Sequence, residues 1–184
     1  WFHDARLNFA ENLLNLRGSD EAIVFRGEDK VEKRVTHDEL HALVSRTQQA
    51  LRRAGVGVGD RVAAIMPNMP ETVICMLAAT SLGAIWSSCS PDFGVQGMLD
   101  RFGQIEPKVL IACDGYYYNG KDLDCLGKVA EIVAKLPSVA RTVIVPYLDA
   151  KPNVTLVPGA LSFPDFIAAL EARPVEYVRL PFNH

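Results

Sequence analysis

The chain is short of the features that announce several functional classes. Lys and Arg number 19 against 22 Asp and Glu, a formal net charge of -3, with no basic stretch among them. Nucleic acid and anionic membrane surfaces both select for concentrated positive charge, so neither is an expected partner. No apolar run approaches the roughly 20 residues that span a bilayer, and the opening WFHDARLNFAENLL lacks a basic head before an apolar core. A cytoplasmic location is therefore expected. The four cysteines, Cys75, Cys89, Cys113 and Cys125, form no C-x-x-C pair, which removes the usual zinc and dithiol patterns. They read as small buried side chains. Cys89 falls at the carboxyl end of a strand, yet no neighbour offers the base that a nucleophile needs. His37 and His41 lie four apart on a predicted helix, without the third ligand or H-E-x-x-H pattern of a metal site, so they are expected on a solvated face. No internal repeat or low-complexity tract appears.

What is present is an ordinary globular composition. A length of 184 residues with 49% hydrophobic and 22% charged side chains excludes disorder and suits one α/β domain over residues 1–184. The stretch Asp60 to Cys113 organises the rest. Arg61 to Met66 reads as a buried strand opening into Pro67-Asn68-Met69-Pro70. Glu71 to Leu82 reads as a helix apolar on nearly every face, stopped by Gly83. Ala84 to Ser88 gives a second strand, Cys89 to Gly94 a loop, Val95 to about Ile105 a helix, and Lys108 to Ala112 a third strand. This alternation predicts an open, mostly parallel sheet with helices on both faces. Ligands of such sheets bind outside the carboxyl ends of the strands, which directs attention to the loop Cys89 to Gly94.

On the N-terminal side, residues 1–16 have the spacing of a short amphipathic helix. Ala22 to Arg26 and Val31 to Val35 flank Gly27-Glu28-Asp29-Lys30 and predict a β-hairpin. Thr36 and Glu39 form a capping box that opens a helix to about Arg53. Gly55-Val56-Gly57-Val58-Gly59 imitates a dinucleotide fingerprint, but these glycines follow a helix and precede a strand, the reverse of what phosphate binding requires. A helix cap at Gly55 is the better account.

On the C-terminal side, Asp114 to Lys121 reads as a polar aromatic loop. Its tyrosines, Tyr116, Tyr117 and Tyr118, either cover the sheet edge or form a stacking platform, with Lys121 for a phosphate. Leu126 to Leu136 reads as a helix, Thr142 to Pro146 as a strand, Asp149 to Gly159 as a surface connection and Phe163 to Ala172 as a last helix. Glu176 to Leu180 starts an extended segment. Asp92 is the one acid of the central loop. With Ser90 and Pro91 it fits a helix start, Ser capping and Asp favouring the dipole, ahead of a direct role on substrate.

The ordered segments LNFAENLL, VTHDEL, GVGVGDRVAAIMPNMPETVICMLAATSLGAIWSSCSPDFG and DGYYYNGK resemble the AMP-forming acyl-CoA synthetases of the adenylate-forming superfamily. The similarity covers nearly the whole chain, and AIWSSCSPDFG is its most specific part. It implies part of the large N-terminal domain of an enzyme that uses ATP, Mg²⁺ and CoA: a carboxylate attacks ATP to give acyl-AMP, and the CoA thiol then displaces AMP. Overall similarity implies acetoacetate as the acid. The family's ATP phosphate loop, Mg²⁺ acid and catalytic lysine have no counterpart in this sequence, which implies an N-terminal portion, inactive alone and holding no cofactor tightly. The remainder of its own polypeptide would be its partner. An apolar extended segment at Tyr177, Val178 and Leu180 would invite self-association. The resemblance also implies a CoA surface made of Ser90, Pro91, Asp92 and Phe93 together with Tyr118, Gly120 and Lys121. Lys121 stands for one arginine of the acetyl-CoA branch and Tyr118 for the other, while Pro91 and Asp92 replace glycines. The competing readings are a self-standing, non-enzymatic α/β module for CoA or a nucleotide, and a structural or interaction domain.

Overall fold

The computed structural model describes residues 2–182. The chain enters through a two-residue strand, β1 (Arg6–Leu7), and a single helical turn, α1 (Phe9–Leu13). Asn8 sets this geometry. Its Oδ1 accepts from the amides of Ala10 and Glu11, while its Nδ2 donates to the carbonyls of Thr80, Ser81 and Val178. One buried side chain thus caps the turn and ties it to segments far along the chain. The amphipathic helix read over residues 1–16 is only these five residues long, because Arg6 and Leu7 pair instead with β11 (Leu180–Pro181).

The hairpin forms as β2 (Glu21–Gly27) and β3 (Val31–Thr36). It runs directly into α2 (His37–Arg53), whose capping box is complete: Thr36 Oγ1 accepts from the Glu39 amide and the Glu39 carboxylate from the Thr36 amide. At the other end Gly55 takes a φ of 81°. Its amide reaches the Arg52 carbonyl, and the Val56 amide reaches Leu51, so the reversal satisfies the last carbonyls. The glycine cluster is therefore a helix stop and not a phosphate cradle.

The remaining strands are β4 (Arg61–Ile65), β5 (Ile85–Cys89), β6 (Val109–Cys113), the pair β7 (Gly115–Tyr118) and β8 (Lys121–Asp124), β9 (Arg141–Val145) and β10 (Ala160–Ser162). The helices among them are α3 (Pro70–Ser81), α4 (Val95–Ile105), α5 (Leu126–Ala134) and α6 (Phe163–Ile167). Five strands join in the order β10-β9-β6-β4-β5, and every neighbouring pair is parallel. All of β6 and Val62 to Ile65 of β4 are buried, which explains why these strands read as continuous apolar runs instead of alternating ones. The chain leaves β4 outward to β5, then returns past β4 to β6, β9 and β10. Right-handed crossovers then put α3 on one face and α4 and α5 on the other. The packing agrees: α1 and α2 lie against α3, α6 against α2, and α4 against α5. No helix among the described residues is long and apolar enough to cross a membrane.

The C-terminal third adds one element and corrects another. Ala160 to Ser162, between the expected surface connection and the last helix, is a strand at the sheet edge. The last helix stops at Ile167 and does not continue to Ala172. Beyond the stop, the polar row of α2 supplies partners for backbone groups of the segment that follows. Arg46 donates to the Ile167 carbonyl and Gln49 to Glu171, Ser45 accepts from the Arg173 amide, and Gln48 accepts from Glu176.

His41 also departs from expectation. It is half-buried, with Nε2 at 2.8 Å from the Leu14 carbonyl, where a solvated face was anticipated. Burial, helped by the Arg17 charge, pushes its pKa down to about 4. The folded state thus favours the neutral ring, and the unfolded chain binds the proton more readily. The associated stability is present above the ordinary value of 6.5 and is lost as pH falls towards about 4. Discounted for the part of the ring that water reaches, it amounts to about 1–2 kcal/mol. Urea titrations at pH 7 and pH 5 should show a smaller pH-dependent loss for His41→Gln than for the native chain, and equal losses would show that the ring is not involved.

Candidate functional site

The carboxyl ends of β4, β5, β6 and β9 share one edge, and the chain reverses its direction of strand addition at β4. That edge is where an open α/β sheet presents a ligand crevice. Met66, Pro67 and Asn68 from the β4–α3 connection, Thr72 from the first turn of α3, Ser88 and Cys89 from β5 and Ser90 just after it line a cleft of about 260 Å³ there.

Ser90-Pro91-Asp92-Phe93 leaves β5 as a tight turn, with the Phe93 amide 3.3 Å from the Ser90 carbonyl. Ser90 Oγ donates to the Asp92 carboxylate at 2.7 Å, and the Tyr116 side chain lies near the same carboxylate. The Ser90 bond, with the neighbouring Tyr116 hydroxyl, holds Asp92 below the usual carboxylate range, and the nearby Asp92 carboxylate together with burial raises Tyr116 to about 12. Lys128 Nζ donates to the Pro91 carbonyl at 2.7 Å, and the Arg101 guanidinium lies 4.7 Å from the centre of the Phe93 ring. The helix itself starts later, with Gly94 in the cap position and no side chain capping it. Ser90 and Asp92 are therefore not the helix cap that their order suggests, because the turn uses both first. Cys89 is buried, and burial pushes its thiol up to about 11, which suits an inert core residue.

The segment Asp114 to Lys121 is not a loop. β7 and β8 form a hairpin around Asn119 and Gly120, whose φ values of 51° and 72° identify a type I′ turn. The Asn-Gly pair is the sequence signal for it. Tyr118 stands opposite Lys121 and Tyr116 opposite Leu123, so these four share one face and Tyr117 takes the other. Tyr117 packs edge-on against Tyr147 at 5.2 Å, and Phe25 reaches the same ring at 6.1 Å. A platform of three tyrosines is thus not formed. Tyr118 remains 62% exposed, on the hairpin face whose Tyr116 lies near Asp92. That places Asp92 of the turn beside the face that carries Tyr118 and Lys121. The Gly120 amide points elsewhere: with that of Asn119, it donates to the Glu28 carboxylate.

One residue of this edge escaped the sequence reading. Asp114, 3% exposed at the end of β6, accepts from the amides of Tyr147, Leu148 and Asp149 at 2.7, 3.1 and 2.8 Å. Its own amide donates to Val145, and its carbonyl accepts from Cys125. A strand-terminal Asp before Gly was the available signal. Among the described residues no three His, Cys, Asp or Glu side chains gather as a metal-binding set.

The comparisons with known proteins follow the same outline. A family model described as AMP-binding enzyme matches residues 11–164. This chain belongs to the AMP-binding enzyme family. It is 60% identical over 185 residues to an acetoacetyl-coenzyme A synthetase of Rhizobium meliloti (strain 1021) and 39% identical over 191 residues to acetoacetyl-CoA synthetase of Gallus gallus. Both alignments take in 100% of the chain but only 28% and 29% of the relative. The solved structure of acetoacetyl-CoA synthetase from Streptomyces lividans superposes with a TM-score of 0.90 at 38% identity, covering 100% of this chain and 28% of that one. The family member described here thus spans somewhat more than a quarter of the length of the curated relatives it matches.

Removing the Asp114 carboxylate should be costly, since three buried amides lose their acceptor together. For Asp114→Ala the expected loss is about 3–5 kcal/mol in chemical denaturation, and a change near zero would mean that the Tyr147–Asp149 loop finds other partners.

Proposed function

We propose that the chain is the N-terminal portion of an AMP-forming acetoacetate–CoA ligase. The observation that carries this reading is the 60% identity across the whole chain to a synthetase named for acetoacetate. In the complete enzyme, acetoacetate attacks the α-phosphorus of ATP, releasing pyrophosphate and giving a mixed anhydride with AMP. The CoA thiol then attacks the acyl carbon, and AMP leaves. The anhydride turns a poor leaving oxygen into a good one. Positioned donors and Mg²⁺ ligands would come from the rest of the polypeptide, so no adenylation is assigned to the residues described here. The four free thiols support a cytoplasmic setting for the enzyme.

Within this reading the chain supplies one wall of the CoA site. Lys121 offers a charge to a phosphate, the exposed Tyr118 ring a surface for the adenine, and Phe93 a second apolar face backed by Arg101. Ser90, Pro91, Asp92 and Gly120 shape that wall through backbone position. Asp92 in particular is a strut, since its carboxylate is already engaged by Ser90. Self-association belongs to the same proposal. Its support lies less in Tyr177, Val178 and Leu180, which are half-buried, than in the exposed Phe2, Leu7, Phe9 and Phe182 beside the β1–β11 pair.

Acetoacetate-dependent release of AMP and formation of the thioester by the complete protein test the assignment, and inactivity with acetoacetate alongside activity on another acid would refute the substrate. In that protein Lys121→Glu should weaken use of CoA about tenfold to a hundredfold, the range for a lost charge-assisted contact, and leave ATP–pyrophosphate exchange nearly intact. Equal losses in both half-reactions would instead point to misfolding. A single wall can hold the coenzyme only weakly. Calorimetry on residues 1–184 should give a dissociation constant no tighter than about millimolar, and micromolar binding would favour a self-standing module.

A further inference from the structure

We infer that Glu28 is a positioning residue for the β7–β8 hairpin, a clasp that holds its tip where Tyr118 and Lys121 face the coenzyme. The inference rests on the reading of that hairpin as part of the CoA wall. Glu28 sits in the turn between β2 and β3 with a φ of 50°, a left-handed conformation that non-glycine residues adopt at a cost. That conformation accompanies a specific contact. Oε1 accepts from the Asn119 amide at 2.7 Å and Oε2 from the Gly120 amide at 3.1 Å. Both oxygens of one carboxylate are thus spent on two successive amides of a type I′ turn, a concave donor pair of the kind that captures anions.

The other ties of the hairpin lie further down. Its base is held by Asp114 and Cys125, and its middle by Tyr117 against Tyr147. A two-stranded ribbon is marginal by itself, so its exposed end depends on whatever grips it. Lys121 follows Gly120 directly, and any movement of the turn carries the ammonium group with it. Gly27 fits the same design. A Cβ at that position would overlap the Tyr147 hydroxyl, so the β2–β3 turn is pressed against the ring that also supports Tyr117. The two hairpins are joined at that ring and at Glu28.

The test uses the complete ligase with Glu28→Gly and Glu28→Gln. The glycine variant removes the carboxylate while easing the positive φ, so a defect cannot be traced to an unfolded turn. Glutamine keeps one acceptor oxygen. Hydrogen exchange across residues 115–124 reads the clasp, and the separate half-reactions read its consequence. In Glu28→Gly the hairpin tip should exchange faster and the KM for CoA rise about tenfold, with pyrophosphate exchange and kcat at saturating CoA unchanged and the glutamine variant intermediate. Unchanged hydrogen exchange would overturn the inference. So would faster exchange with an unchanged KM for CoA while Lys121→Glu still raises it, a result that leaves the CoA wall standing. Should neither Glu28→Gly nor Lys121→Glu alter the KM, the wall itself is misassigned and the inference falls with it.

Discussion

A buried carboxylate at the end of the central strand sets the geometry of the whole carboxyl edge. Asp114 receives three consecutive amides from the segment that follows β9, and its main chain bonds to Val145 on one side and Cys125 on the other. A charge taken that far from water is tolerable only when donors surround it, and here the donors come from a loop that would otherwise have no fixed path. Fixing that loop places Tyr147. The ring of Tyr147 then lies between Phe25 of the first hairpin and Tyr117 of the second, and requires glycine at position 27. From one acid the order passes to a loop, then to a ring, and then to two hairpins that the sheet alone would not align.

The legible parts of the sequence are those whose cause is local. Thr36 and Glu39 are three apart and cap α2 through their own side chains, so no knowledge of the rest of the molecule is needed to read them. Gly55 and Gly83 end helices by adopting positive φ, and the apolar runs of β4 and β6 declare strands buried on both faces. Where the cause lies far along the chain, the local pattern misleads. Ser90-Pro91-Asp92 has the order of a helix start, yet Asp92 accepts from Ser90 within the turn, beside Tyr116, and the helix begins at Val95. α6 stops early, and the segment after it runs along α2, whose side chains supply partners for its backbone. β1 pairs with a strand at the opposite end of the chain. Asn119-Gly120 is different: its turn signal is local, and the three adjacent tyrosines mask it.

The candidate surface follows the same division. Its residue types were legible through family resemblance, whereas their arrangement depends on packing. Alternation along β7 separates Tyr117 from Tyr116 and Tyr118, which converts an apparent aromatic cluster into one structural ring and one exposed ring. The positive charges are similarly divided. Lys128 is committed to the carbonyls of the Ser90–Phe93 turn and Arg101 to the Phe93 ring, so Lys121 is the cation left pointing outward on the hairpin face. A surface with an outward cation and the exposed rings of Tyr118 and Phe93 suits one end of a nucleotide and leaves the reacting groups of the proposed ligase to be held elsewhere.

The central claim is that this hairpin face and the Ser90–Phe93 turn together border the nucleotide end of CoA. A crystal structure of the complete ligase with CoA bound tests it most directly. The account predicts a CoA phosphate within hydrogen-bonding reach of Lys121 and the adenine against Tyr118 or Phe93, with the Glu28 contact to Asn119 and Gly120 intact. Coenzyme bound on another face of the domain, with Tyr118 and Lys121 left in solvent, would contradict it.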